Sequence, residues 1–90
     1  MNAQRRAAIA RVVKEVAALI GKLDDITTAI YSLQDEEQEA LDNRPESFQE
    51  TEAGEKQQSA IDALDTAAEA CRDASSQLED ACSELENSRA

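Results

Sequence analysis

Apolar residues fall at Ile9, Val12, Val16, Leu19, Leu23, Ile26, Ile30 and Leu33, in strict alternation of three and four positions. The same alternation resumes, weakened in its middle by Ser75, at Ile61, Leu64, Ala68, Cys71, Ser75, Leu78, Cys82 and Leu85. A repeat averaging about 3.5 residues is the seam of a coiled coil, and it stays on one partner only if the helices wrap with a left-handed twist. Two such runs on either side of the chain's one proline, Pro45, predict two long helices and one reversal. Asn2 is a competent N-cap and the residue before a proline is pushed out of helical space, so the first helix is expected over about 2–42. A turn follows over 43–51. In it Pro45 suits the first position of a short helical turn, Ser47 and Glu50 have the spacing of a capping box, and Thr51 can cap a second helix over 52–87. The expected class is all-α, one antiparallel, coiled-coil-like helical hairpin over residues 1–90.

A chain of 90 residues buries little of its surface by itself. Each predicted helix also carries a second small or apolar stripe, Ala10, Val13, Ala17 and Ile20 on the first and Ala60, Ala63, Ala67, Ala70, Ala74 and Ala81 on the second. One hairpin cannot cover both stripes, so the chain is expected to associate with itself into a four-helix bundle or a larger oligomer. The competing explanation is that alanine fills exposed helix because it is the best helix former. Gly21 inside the first helix costs about 1 kcal/mol relative to alanine, and Ser75 weakens the seam of the second.

Cys71 and Cys82 are eleven residues apart, or about 16 Å along one helix, too far to bond to each other. They read as reduced, buried residues of a cytoplasmic protein. Arg11, Lys14 and Glu15 interrupt any apolar run at the N-terminus, and no stretch of eighteen apolar residues occurs, so neither a signal peptide nor a membrane span is expected.

The chain has no histidine and no glycine-rich phosphate loop, which removes Ser/His and Cys/His chemistry, ordinary zinc sites and the Glu-x-x-His pairs of di-iron bundles. Glu36 with Glu39 and Asp62 with Asp65 could hold Mg²⁺ from facing helices, but none occupies an inward position. No enzymatic activity, metal or cofactor is expected. The net charge of -11 speaks against binding DNA or a membrane surface directly and favours a basic partner.

Charge is unevenly placed. Residues 1–22 carry Arg5, Arg6, Arg11, Lys14 and Lys22 against Glu15 alone, and residues 73–86 carry Asp73, Glu79, Asp80, Glu84 and Glu86. An antiparallel hairpin is expected to set these opposite each other, which would fix register more than stability, at about 0.5 kcal/mol for each exposed pair. The densest feature surrounds the turn: Asp35, Glu36, Glu37, Glu39, Asp42, Glu46, Glu50, Glu52 and Glu55, offset by Arg44 and Lys56. Either it solvates the hairpin end, or Asp35, Glu36, Glu39, Asp42, Glu46, Phe48 and Glu50 form a partner-binding tip that competes with phosphates for a basic groove. Phe48 is either a plug over the end of the core or a contact residue. At the opposite end Arg5, Arg6, Arg11 and Lys14 are candidates for an anion pocket, suited to a phosphate or a cyclic nucleotide if several such ends come together.

The stretch "DEEQEALDNRPESFQETEAGEKQQSAIDALDTA", about a third of the chain, resembles a group of short acidic proteins encoded by phages, prophages and some Gram-positive bacteria. They share an EEQE-hydrophobic-DN-x-PES-x-Q turn followed by a helix of Ala, Ile, Leu and Glu. The resemblance brings no activity or functional residue with it. It implies a phage or mobile-element accessory protein in the host cytoplasm, where small acidic proteins block host or defence proteins. The function expected is a non-enzymatic binding or inhibitory module against a basic, nucleic-acid-handling or defence protein. An oligomeric sponge for a nucleotide and a structural coiled-coil adaptor are the alternatives.

Overall fold

The computed structural model describes residues 1–89. Helix α1 spans Ala3–Asp42, a single turn α2 spans Glu46–Gln49, and α3 spans Glu52–Ser88. The two long helices form an antiparallel hairpin measuring 68 × 14 × 13 Å between Cα atoms, and none is long and apolar enough to cross a membrane among the described residues.

Local chemistry sets the ends. The Asn2 side chain accepts from the Arg5 amide at 2.8 Å, one of the N–H groups that a helix start leaves without a partner. At the other end of α1 the Asn43 amide returns to the Glu39 carbonyl at 3.0 Å and the Arg44 amide to Leu41 at 3.0 Å. Pro45 then departs with ψ near 146° and stands at the N-cap of α2, one position earlier than expected. The predicted capping box is not formed: Ser47 lies inside α2, which has no side-chain cap. Thr51 does cap α3, accepting from the Gly54 amide at 3.1 Å while its hydroxyl donates to the Phe48 carbonyl at 2.5 Å.

That corner explains Gly54. A Cβ there would stand 2.8 Å from the Cα of Gln49 and closer still to the Phe48 carbonyl, both of them backbone. Gly21 contrasts with it, having open space where its Cβ would be.

Helix α3 turns to α1 the residues its heptads predict: Ile61, Ala68 and Ser75 are buried, and Leu64, Cys71, Leu78, Cys82 and Leu85 are half-buried. Helix α1 differs. Ile9, Val16, Leu23 and Ile30 face α3 as expected, but their companions are Val13, Ile20, Thr27 and Gln34, whereas Val12, Leu19, Ile26 and Leu33 stand 43%, 52%, 51% and 52% exposed. The expected seam of α1 is corrected to that extent. Both choices alternate by three and four, so each is a legitimate coiled-coil stripe, and the two lie on opposite sides of the shared Ile9–Ile30 row.

The buried positions Thr27, Leu41, Gly54, Ile61 and Ala68 lie in the halves of α1 and α3 nearer the turn, and Ser75 lies just past the middle of α3. Toward the chain ends Ile9, Val13, Val16, Ile20, Leu78, Cys82 and Leu85 are only half-buried. Two helices alone leave most seam residues open on one side.

The hairpin consequently has two unlike flanks. On one, Ser75 donates to Asp24 at 3.0 Å, Gln34 to Asp65 at 3.3 Å and Arg72 to the Tyr31 hydroxyl at 3.5 Å. These bonds identify the edge of α3 bearing Asp65 and Arg72 as the neighbour of the Asp24–Tyr31–Gln34 edge of α1. The opposite edge of α3, which carries Ala60, Ala67, Ala74 and Ala81, therefore shares its flank with Val12, Leu19, Ile26 and Leu33.

The expected charge pairing across the hairpin is also absent. The ion pairs among the described residues, Lys56 with Glu52 inside α3 and Glu86 with Arg89 at its C-cap, are local, and none crosses between helices. The reason is angular. Glu79 and Glu86 project from the polar edge of α3, whose neighbours on α1 are Ala10 and Ala17, while Arg5, Arg11, Lys14 and Lys22 project from other sides of α1.

Candidate functional site

The acidic end is built from three elements. Asp35, Glu36, Glu37, Glu39 and Asp42 stand on the last turns of α1, Glu46 on α2, Glu50 in the link, and Glu52 and Glu55 on the first turn of α3. All nine are exposed. Gln38 donates to Asp42 at 3.0 Å, Gln57 reaches across to Glu37 at 3.2 Å, and Lys56 approaches Glu52 at 3.6 Å. Among the described residues no cation lies within 4.0 Å of Asp35, Glu36, Glu39, Asp42, Glu46 or Glu50. Helix ends of this kind hold carboxylates with little chain entropy left to lose, which favours collective, long-range attraction over any single contact.

Phe48 is half-buried, and the Arg44 guanidinium sits 4.2 Å above its ring centroid. It is neither a sealed plug nor a free anchor. A cation over an aromatic face at an exposed site contributes about 0.5–1 kcal/mol, and here it also holds Arg44, one of the tip's two cations, over the ring on its α2 side.

Arg5, Arg6, Arg11 and Lys14 are all exposed on the first turns of α1 and form no ion pair among the described residues. Their spacing spreads them around the helix, so they do not converge on one point within one hairpin. A shallow depression lies elsewhere, on α3, lined by Glu69, Arg72, Asp73 and Ser76. Arg72 is raised above its ordinary pKa first by its hydrogen bond to the Tyr31 hydroxyl, and stays charged at any pH of interest.

The two carboxylate pairs considered for Mg²⁺ do not converge. Asp65 is occupied by Gln34 and Asp62 accepts from Gln58 at 3.0 Å, Glu36 and Glu39 face solvent, and among the described residues no three Asp, Glu or Cys side chains come together as a metal site.

The polar cluster of Asp24, Tyr31, Gln34, Asp65, Arg72 and Ser75 has no separate signal in the sequence, because its members are ordinary surface residues spaced for helix faces. A serine in an otherwise apolar seam is the one clue. Compared with protein-family models, with curated proteins and with solved structures, the chain matches none.

Proposed function

We propose that the chain is a non-enzymatic binding module that associates with itself and presents its acidic hairpin end to a basic protein surface, one of the kind that otherwise holds nucleic acid. The observation that carries this is the array of exposed carboxylates with no cationic partner among the described residues, Asp35, Glu36, Glu39, Asp42, Glu46 and Glu50, on a corner braced by Thr51, Gly54 and the Arg44–Phe48 stack. Such an array imitates the charge density of a phosphate backbone, speeds encounter with a basic groove and blocks it by occupation.

The test pairs the wild type with a variant carrying Asp35→Asn, Asp42→Asn, Glu46→Gln and Glu50→Gln, each used to capture basic proteins from a host lysate and then titrated against whatever is captured. The variant should keep its helicity, associate at least about tenfold more slowly at low salt, and lose most of the salt dependence. Unchanged association rates would reduce the tip to a solubilising cap.

A second role has one observation in its favour. Arg5, Arg6, Arg11 and Lys14 make no ion pair among the described residues, and clustered by self-association they would suit an anionic nucleotide. Thermal stabilisation of the wild type by mono-, di- or cyclic nucleotides, abolished by Arg6→Glu with Arg11→Glu, is the expected result. No stabilisation by any of them removes that role.

A further inference from the structure

Helix α1 carries two seams and uses the less apolar one inside the hairpin, leaving Val12, Leu19, Ile26 and Leu33 in a heptad-spaced row on the same flank as Ala60, Ala67 and Ala81 of α3. We propose that this flank is the contact between two copies of the chain, packed face to face about a two-fold axis with their acidic tips at opposite ends. This arrangement rests on the self-association proposed above and adds its face and its direction.

The exposed edge of α1 is complementary to itself when reversed. It opens with Arg5 and Arg11, continues through the four apolar residues, and closes with Glu36 and Glu39. Laid against its own copy in reverse, Val12 meets Leu33, Leu19 meets Ile26, and the two arginines lie alongside the two glutamates of the second chain. All eight of those residues are exposed in the hairpin, so nothing has to unfold for them to pair.

The halves of the hairpin make the same choice on a larger scale. The 36 residues at the chain ends, 1–22 and 77–90, hold six cations and five carboxylates, while the 54 residues nearer the turn, 23–76, hold three cations and fifteen carboxylates. Packing with tips together would bring the two acidic halves to a helix spacing of about 10 Å, close to the screening length of about 8 Å at physiological salt. Packing in reverse sets the tips about 70 Å apart, where their repulsion is screened away. Lys22 meets its copy near the axis, a like-charge contact that salt weakens.

The surface is large enough. From Arg5 to Ala40 the face runs about 52 Å at about 1.5 Å per residue, and two helices side by side make it about 20 Å wide. That gives about 1,000 Å² per copy, against about 800 Å² for a stable standard-size interface.

Sedimentation of the full chain over a concentration series should show a monomer–dimer equilibrium. Leu19→Glu with Ile26→Glu should weaken it by about a hundredfold or more without loss of helicity, because both side chains are half-exposed in the hairpin. Arg5→Glu with Arg11→Glu should weaken it by about tenfold, and adding Glu36→Arg with Glu39→Arg should restore it. Spin labels attached through Ser47→Cys, in a chain also carrying Cys71→Ala and Cys82→Ala, should report tips about 70 Å apart. A wild type that stays monomeric at every concentration overturns the self-association as well as the dimer, and assigns the flank to a foreign apolar helix. An oligomer indifferent to the glutamates overturns only the face, and a tip separation below about 30 Å overturns only the direction.

Discussion

The two long flanks of the hairpin are made from the same two helices and differ in almost everything else. One is closed by hydrogen bonds between Ser75 and Asp24, Gln34 and Asp65, and Arg72 and Tyr31. The other, along Val12, Leu19, Ile26 and Leu33, has no side-chain hydrogen bond crossing it among the described residues and exposes about half of each large side chain. Polar bonds hold register but add only about 1 kcal/mol each, whereas apolar area stabilises in proportion to what is covered, about 25 cal/mol per Å². A flank of the first kind is finished within one chain. A flank of the second kind gains its stabilisation only from something placed over it.

The comparison depends on the seam between the flanks, so the largest effect is expected there. Ile61 is 2% exposed in the tightest part of the hairpin, and Ile61→Ala should cost about 3 kcal/mol in chemical denaturation, loosening both flanks together. A loss below about 1 kcal/mol would mean the helices are not held by this seam.

Gly54→Ala comes next. Its methyl would press on the backbone of Phe48 and Gln49, which cannot move aside without shifting the corner, so about 2 kcal/mol should be lost. A shifted corner slides α3 along α1. The polar flank should suffer more, because its bonds need a set register, and amide exchange near Ser75 and Asp65 should quicken while the apolar row is little changed.

Ser75→Ala tests the polar flank alone. Removing the bond to the exposed Asp24 leaves no buried group unsatisfied, and the expected loss is about 1 kcal/mol. If the variant is instead more stable, the polar bond serves register and not stability, as buried polar residues do in some coiled coils.

The smallest effect on the single hairpin is expected on the apolar flank. Leu19→Gln should shift unfolding by less than about 0.5 kcal/mol at a concentration where the chain is monomeric. It should nevertheless abolish the rise of the melting midpoint with protein concentration that the wild type should show. A substantial loss in the monomer would move Leu19 into the hairpin core and erase the difference between the flanks.

Local rules decided much of this molecule. The Asn2 and Thr51 caps, the break at Pro45 and the long helical runs depend on interactions within a few residues, and these are legible without a partner in view. The seam of α3 was legible for a similar reason: beside Ile61, Leu64, Leu78 and Leu85 its competing stripe is alanine, too small to rival it. The expected capping box failed because Ser47 and Glu50 have the right spacing but the wrong backbone, Pro45 having already begun the short turn.

Helix α1 was different, because its sequence contains two stripes of equal period sharing Ile9, Val16, Leu23 and Ile30. Hydrophobicity alone selects Val12, Leu19, Ile26 and Leu33 over Val13, Ile20, Thr27 and Gln34. Only the tertiary structure shows the second set turned inward, with Thr27 satisfied by the Leu23 carbonyl at 2.9 Å and Gln34 by Asp65 across the hairpin. The choice is non-local: rotating α1 by about half a heptad face exchanges one stripe for the other, and what weighs the two is which edge of α3 lies opposite. Periodicity therefore determined that these helices would pair, and the chemistry of the facing edge, Asp65, Arg72 and Ser75, decided which side of α1 was left free.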